Sequence, residues 1–216
     1  MNQLSEYGSG PIHFAAVHGH LEIIKALIGY IPNAPNNNGT TPIHAAAKNG
    51  HIEIVKFLIG YTNNPNAPNN IGWTSIHEAA RFGHTEIVKI LIGCTDNPNA
   101  PNKNGWTPIH EAAAEGHTEV VKVLMGCTDD PNAPDKDGQT PYEVAQDFNH
   151  FDIMNLLISK RAYYFNKYFS KKLTISAPIA VSNAKDIFDR KKRPIEESYR
   201  RNPTEESFSN SSSISK

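Results

Sequence analysis

Apolar and polar positions recur along this chain with a period of 33 residues. The clearest copy runs from Asn69 to Gly93, and the same order of residues occupies Asn36 to Gly60 and Asn102 to Gly126. A looser copy begins near Gly8 and a degraded one begins at Asp135. A repeat of this length is the mark of a protein built from stacked units. Equivalent positions, 31, 33, 33 and 33 residues apart, hold His13, His44, His77, His110 and Glu143.

Each copy predicts a short helix followed by a second one. In the fourth copy Thr107 precedes Pro108, so the Thr hydroxyl can cap the first free amides and Pro suits the first helical position. An Ala pair follows, and Gly116 is placed to end the helix in the left-handed conformation. The second helix is indicated by an apolar stripe, which in the third copy comprises Ile87, Val88, Leu91 and Ile92. An Asn-Pro-Asn-Ala-Pro-Asn segment then turns the chain.

The segment from Thr107 to Leu124 resembles the ankyrin repeat in its Thr-Pro-Ile-His start, its paired Ala, its Gly-His step and its aliphatic second helix. The resemblance covers residues 8–158 and implies an all-α solenoid of helix-turn-helix units joined by hairpin loops. It also implies that the recurring His bonds backbone between neighbouring units. The family's Gly-Ala-Asp-Val-Asn is replaced by segments such as Thr-Asp-Asn-Pro-Asn, so we expect a slightly different hairpin.

These boundaries predict an organisation in four parts. An N-terminal extension of residues 1–7 precedes the array, a capping or extended helix follows it at 159–172, and a basic, Ser-rich tail occupies 173–216. The tail has few apolar residues and is predicted to be disordered. Within the array, units one to five span 8–35, 36–68, 69–101, 102–134 and 135–158.

The predicted helix after the array has Tyr164 and Tyr168, and Phe165 and Phe169, spaced by four residues. Residues at this spacing share one helical face. The helix either packs on the last unit and closes the stack or, given its Lys and Arg, docks a partner or a membrane surface.

Charge is distributed unevenly. Residues 1–158 hold 8 Lys and Arg against 16 Asp and Glu, whereas residues 159–216 hold 13 against 6. The basic run in the tail is typical either of a nuclear import signal or of a solvated charge run, and it comprises Arg190, Lys191, Lys192 and Arg193. We expect a cytoplasmic protein, with the nucleus as the alternative that this run raises.

Several classes of function find no support in the sequence. There is no apolar stretch long enough for a membrane span and no secretory signal. Cys94 and Cys127 are equivalent positions of adjacent units, too far apart for a disulfide, so we expect free thiols. Phosphate loops and nucleophile motifs are missing. His pairs seven residues apart do not suit a metal. We therefore predict a monomer that is not an enzyme, has no cofactor or metal, and does not bind nucleic acid.

The predicted partner site lies where the repeat framework does not dictate the residue, on the hairpin tips and the exposed side of the first helix. Two Trp at equivalent tips suggest a binding surface for a protein on the concave face. Alternatively, each Trp packs on its neighbouring hairpin and stiffens the stack. Glu78 and Glu111 are expected on a solvated face or against a partner. The candidate residues are Ile71, Trp73, Glu78, Arg81, Phe82, Lys103, Asn104, Trp106, Glu111 and Glu115.

The sequence thus predicts a non-enzymatic protein-interaction module. The alternative is a nuclear or regulatory protein whose basic tail gives nuclear targeting or masks the acidic array.

Overall fold

A computed structural model describes residues 8–29 and 34–159 of the chain. These residues form helices and no strand, which confirms the all-α prediction. Outside the described residues lie the extension 1–7, residues 160–172 of the helix predicted after the array, the tail, and the run from Arg190 to Arg193. The helices are α1 (Pro11–Val17), α2 (Leu21–Leu27), α3 (Pro42–Lys48), α4 (Ile52–Ile59), α5 (Ser75–Arg81), α6 (Thr85–Ile92), α7 (Pro108–Ala114), α8 (Thr118–Met125), α9 (Pro141–Asp147) and α10 (151–159).

The helices stack in two rows. The inner helices α1, α3, α5, α7 and α9 each pack on the next inner helix. The outer helices α2, α4, α6 and α8 do the same, and each packs against the inner helix of its own unit. Each unit therefore packs on the units next to it in the chain, as in a solenoid.

Small side chains set the spacing of the inner row. Ala46, Ala79, Ala112 and Ala145 occupy equivalent positions and are fully buried. An Ala at this point leaves room for the next inner helix to approach closely. The outer row is filled by larger residues at equivalent positions, which are Leu58, Leu91, Leu124 and Leu157. The core is thus one continuous apolar layer that runs through the stack.

A His at the third position of α1, α3, α5 and α7 joins neighbouring units, as the resemblance implies. In α5 the backbone N–H of Thr74 donates to Nδ1 of His77 over 3.1 Å, and Nε2 of His77 bonds the carbonyl of Trp106 over 3.1 Å. Burial lowers the pKa of His77 to about 4, so the ring is neutral at pH 7. A neutral ring that accepts at Nδ1 carries its proton on Nε2. His44 and His110 repeat the contact with Trp73 and Gln139.

A second row of His, to which the sequence assigned no role, binds in the opposite direction. His84 Nε2 bonds the carbonyl of Lys48 over 3.0 Å, and His117 Nε2 bonds the carbonyl of Arg81 over 3.0 Å. These carbonyls belong to the last residues of the preceding inner helices, where no intrahelical partner exists. Both rows therefore satisfy backbone groups across the interface between units.

Gly83 is required by this second row. Its φ of +73° is the left-handed conformation, and a Cβ at this position would lie 2.7 Å from the ring of His117. Gly93, which ends α6, has φ of −66°. A Cβ there would meet only the carbonyl oxygen of Ile90, at 3.5 Å.

Substitution of Gly83 by Ala should lower the free energy of unfolding by about 2 to 4 kcal/mol. The Ala would be strained at this positive φ, and its Cβ would displace the ring of His117. The matched change Gly93→Ala should be neutral or stabilise by about 0.5 kcal/mol. Urea unfolding followed by circular dichroism measures both. Equal losses in the two variants would contradict the role given to the contact between Gly83 and His117.

Candidate partner-binding site

The candidate residues of units three and four lie on one face of the stack, which we call the inner face. It comprises the hairpin tips 69–73 and 102–106 together with the exposed side of α5 and α7. Backbone bonds tie each tip to the next: the N–H of Lys103 donates to the carbonyl of Ile71 over 3.1 Å, and the N–H of Lys136 donates to that of Asn104 over 3.1 Å. The tips are therefore fixed relative to one another.

Trp73 lies half-buried at the first of these tips. Its ring stacks on His77, with ring centres 5.8 Å apart, and the guanidinium of Arg81 lies over it at 5.6 Å. Its indole nitrogen donates no hydrogen bond to any residue of the described part of the chain. The indole N–H is thus available to a partner.

Trp106 occupies the equivalent tip but has an additional contact. Its ring stacks on His110 at 5.6 Å, and its Nε1 donates to Oδ2 of Asp135 over 2.8 Å. Asp135 belongs to the next hairpin. Trp106 is therefore bonded to its neighbouring hairpin, as expected if the Trp residues stiffen the stack.

One side-chain oxygen accounts for this difference. Oδ1 of Asn102 accepts the backbone N–H groups of Asn104 and Trp106, over 2.8 and 3.1 Å. Oδ1 of Asp135 accepts those of Asp137 and Gln139 in the same manner, over 2.9 Å each. The carboxylate of Asp135 has a second oxygen left for an indole, whereas the amide of Asn102 has a donor group in that place.

Contacts between units cross the inner face. The ammonium of Lys48 lies 5.5 Å above the ring of Phe82, and Nε of Arg81 lies 3.5 Å from a carboxylate oxygen of Glu115. Ile71 and Phe82 expose 58% and 44% of their surface. The face therefore combines exposed apolar groups with an ion pair and a cation that lies over an aromatic ring.

Glu111 is largely buried, so the expectation of a solvated face is wrong for this residue, while the alternative, contact with a partner, stays a prediction. Only 4% of it is exposed, and burial, reinforced by Glu78 and Glu115 and opposed by Arg81, raises the pKa of its carboxyl to about 7. Burial also raises the pKa of Glu78, but two cations, Lys48 and Arg81, oppose the rise there. Glu78 and Glu111 occupy equivalent positions in the sequence, but the structure surrounds their carboxyls with different numbers of cations.

Other candidate chemistry is limited to what the described residues show. No group of three or more His, Cys, Asp or Glu in that part of the chain could hold a metal ion. None of the helices in residues 8–29 and 34–159 is long and apolar enough to cross a membrane. Cys94 and Cys127 are free thiols, and burial raises the pKa of Cys94.

Comparison with known proteins identifies the repeat. A family model described as ankyrin repeats (3 copies) matches residues 12–102 and 76–168. A search of curated proteins finds no match to the chain.

The change Asp135→Asn should release the Trp106 indole and lower the free energy of unfolding by about 1 kcal/mol, because a hydrogen bond to a charged acceptor is lost at a half-buried site. The reverse change, Asn102→Asp, should supply an acceptor to Trp73. Exchange of the two indole N–H protons, followed by NMR, measures both effects. If the Trp106 proton exchanges equally fast in the native chain and in Asp135→Asn, the contact has no energetic role.

The change Glu111→Gln should stabilise the fold in a pH-dependent manner. The folded-state pKa of about 7 lies above the ordinary value of 4.5, so the native chain loses stability as the pH rises from about 4.5 through 7. The Gln variant should therefore match it near pH 4 and exceed it by about 2 to 3 kcal/mol at pH 8. Glu78→Gln should give a smaller gain, because Lys48 and Arg81 already offset burial. Urea unfolding at pH 4, 6 and 8 decides, and a difference that does not vary with pH would contradict the burial argument.

Proposed function

The chain belongs to the ankyrin repeat family, and on that premise we propose that its inner face over units three and four binds a segment of a partner protein. Ankyrin repeats are generally protein–protein interaction modules, and proteins of this family are typically not enzymes. The proposal adds the place on the stack and the residues that make contact.

The observation that supports this place most strongly is the arrangement around Trp73. This aromatic ring, whose indole N–H bonds no described residue, lies on the same face as the exposed side chains of Ile71 and Phe82. Interfaces draw most of their binding energy from a few large aromatic and Arg side chains surrounded by polar contacts. The same face also holds Arg81, whose guanidinium the Trp73 ring already positions.

Bonds within the chain hold the surface together before a partner binds. The hairpin tips are joined through their backbones, and the inner helices are fixed by His77 and His110 to the tips of the following units. A preformed surface loses little conformational entropy on binding. A short extended or helical segment with apolar side chains and a basic group would complement it.

The regulatory alternative rests on the tail. Its basic run, Arg190 to Arg193, lies outside the described residues, so nuclear targeting and masking of the acidic array stay predictions. The same holds for a cytoplasmic location and for the monomeric state.

The double change Trp73→Ala/Phe82→Ser should abolish capture of the partner, because it removes two apolar anchors while leaving the rows of His intact. The full chain and the variant serve as baits in cell lysate, with mass-spectrometric identification and dissociation constants measured on the recovered partner. We expect an affinity loss of about 100-fold or more.

Phe151→Ser is the matched control, since Phe151 exposes 64% of its surface but begins α10, the second helix of unit five. All three baits must show the same helicity by circular dichroism. A partner held equally well by the native chain and by the double variant would place the binding surface elsewhere.

A further inference from the structure

Units three and four present the same cluster of residues with one difference. In unit three the cluster is Trp73, Glu78 and Arg81, which we call the unit-three cluster. Thirty-three residues later stand Trp106, Glu111 and Ala114, the unit-four cluster. The aromatic ring and the carboxylate are repeated, whereas Ala replaces the Arg.

The missing guanidinium affects both of the other residues. Arg81 lies over the Trp73 ring, while no cation of the described residues lies over the ring of Trp106. Glu78 is flanked by a cation from the preceding unit, Lys48, and by one from its own unit, Arg81. Glu111 has Arg81 as its cation from the preceding unit, and its own unit supplies none.

Glu111 is therefore a largely buried residue whose carboxyl oxygens keep contact with solvent and bond no group of the described residues. It is 4% exposed, and within residues 8–29 and 34–159 its side chain makes no hydrogen bond and no ion pair. Within the same residues Arg81 forms its ion pair with Glu115. Buried carboxylates are normally hydrogen-bonded or paired, because burial of an unpaired charge costs several kcal/mol. In unit three a guanidinium of the chain itself lies over the Trp ring near the carboxylate, and in unit four that place is open.

We propose that the unit-four cluster receives the guanidinium group of an arginine side chain from the bound partner segment. The guanidinium would lie over the Trp106 ring, as that of Arg81 lies over Trp73, and would pair with the carboxylate of Glu111. This inference rests on the proposed function and specifies the chemistry of the partner. It commits to arginine because a planar guanidinium both stacks on an indole and forks onto a carboxylate, which an ammonium does less well.

The surroundings leave space for such a group. Ala114 presents only a methyl group, and both it and Trp106 are half-buried, so the site is reached from solvent. Across it, Phe148 stands where Glu115 stands in the preceding unit and exposes 58% of its surface. A second aromatic ring on that side suits a flat cation and offers no competing salt bridge.

Binding is coupled to release of a proton. Glu111 must be ionised to hold the cation, and its pKa of about 7 means that most of it is protonated at pH 6. Affinity should rise about tenfold between pH 6 and pH 8. Helices α5, α8 and α9 pack on α7, and with α7 itself they contribute these charged groups: Glu78, Arg81, Glu115, Glu119, Lys122, Glu143 and Asp147.

The probe for this site is N-acetyl-arginine methylamide, titrated into the full chain and followed by NMR of backbone amides. Its neutral counterpart, the citrulline amide, has nearly the same shape without the charge. We expect saturable shifts at Glu111 and at the Trp106 indole with a dissociation constant on the order of 10 mM at pH 8. The citrulline amide should cause none, and the lysine amide should bind more weakly.

Two variants test whether the probe binds at the unit-four cluster. Glu111→Gln should abolish the shifts and the pH dependence. Ala114→Arg should fill the site from within the chain, block the probe, and lower the titration midpoint of Glu111 as measured at its carboxyl carbon. Arg is tolerated at the equivalent position of α5, so the variant is expected to fold.

Several results would overturn the proposal. Equal binding of the arginine and citrulline amides, unchanged binding in Glu111→Gln, or shifts spread over the acidic residues of the outer helices would each exclude a specific site. Equal affinity for the lysine amide would exclude the choice of arginine. Trp73 and Phe82 remain native here, so a failure of this test is separate from a failure of the capture experiment.

Discussion

A buried, neutral imidazole holds the stack in register. The ring of His77 accepts from the backbone of Thr74 at one nitrogen and bonds the carbonyl of Trp106 with the other. One side chain thus closes the first turn of its own helix and fixes the hairpin of the next unit. Because the low dielectric interior keeps the ring uncharged at neutral pH, it can act as donor and acceptor at once. The candidate binding surface depends on this bond, since the residue that it anchors bears one of the two indoles.

The sequence predicted the framework because the framework is periodic. The start of the helix after Thr107 and its stop at Gly116 follow from local patterns that recur at a fixed interval, and the structure confirms them. The contact of His77 with the next unit, which the resemblance implied, is confirmed as well. The second row of His could also have been anticipated, since His84 and His117 recur with the same period. No local rule, however, indicates that the second His of a unit, seven residues after the first, bonds backward to the preceding unit.

The differences between units could not be predicted in this way, because they depend on contacts across interfaces. The distinction between Trp73 and Trp106 comes from one oxygen of Asp135, 29 residues further along the chain. The contrast between Glu78 and Glu111 comes from the presence of Lys48 and Arg81 on one and of Arg81 alone on the other. In a repeat protein the shared positions specify the fold, while the positions that break the period specify the surface. Function is therefore sought where equivalent residues diverge.

The bonds between units also determine how the array responds to mechanical force. Units three and four are joined by His77 to Trp106, by His117 to Arg81 and by Lys103 to Ile71. These bonds lie side by side across one interface, so a pull along the stack loads them together and separates a whole unit at a time. Each unit released would add a contour length of about 110 Å, the span of 33 extended residues. Under tension the stack would lengthen in regular steps, and the inner face would lose its geometry at the first step that separates units three and four.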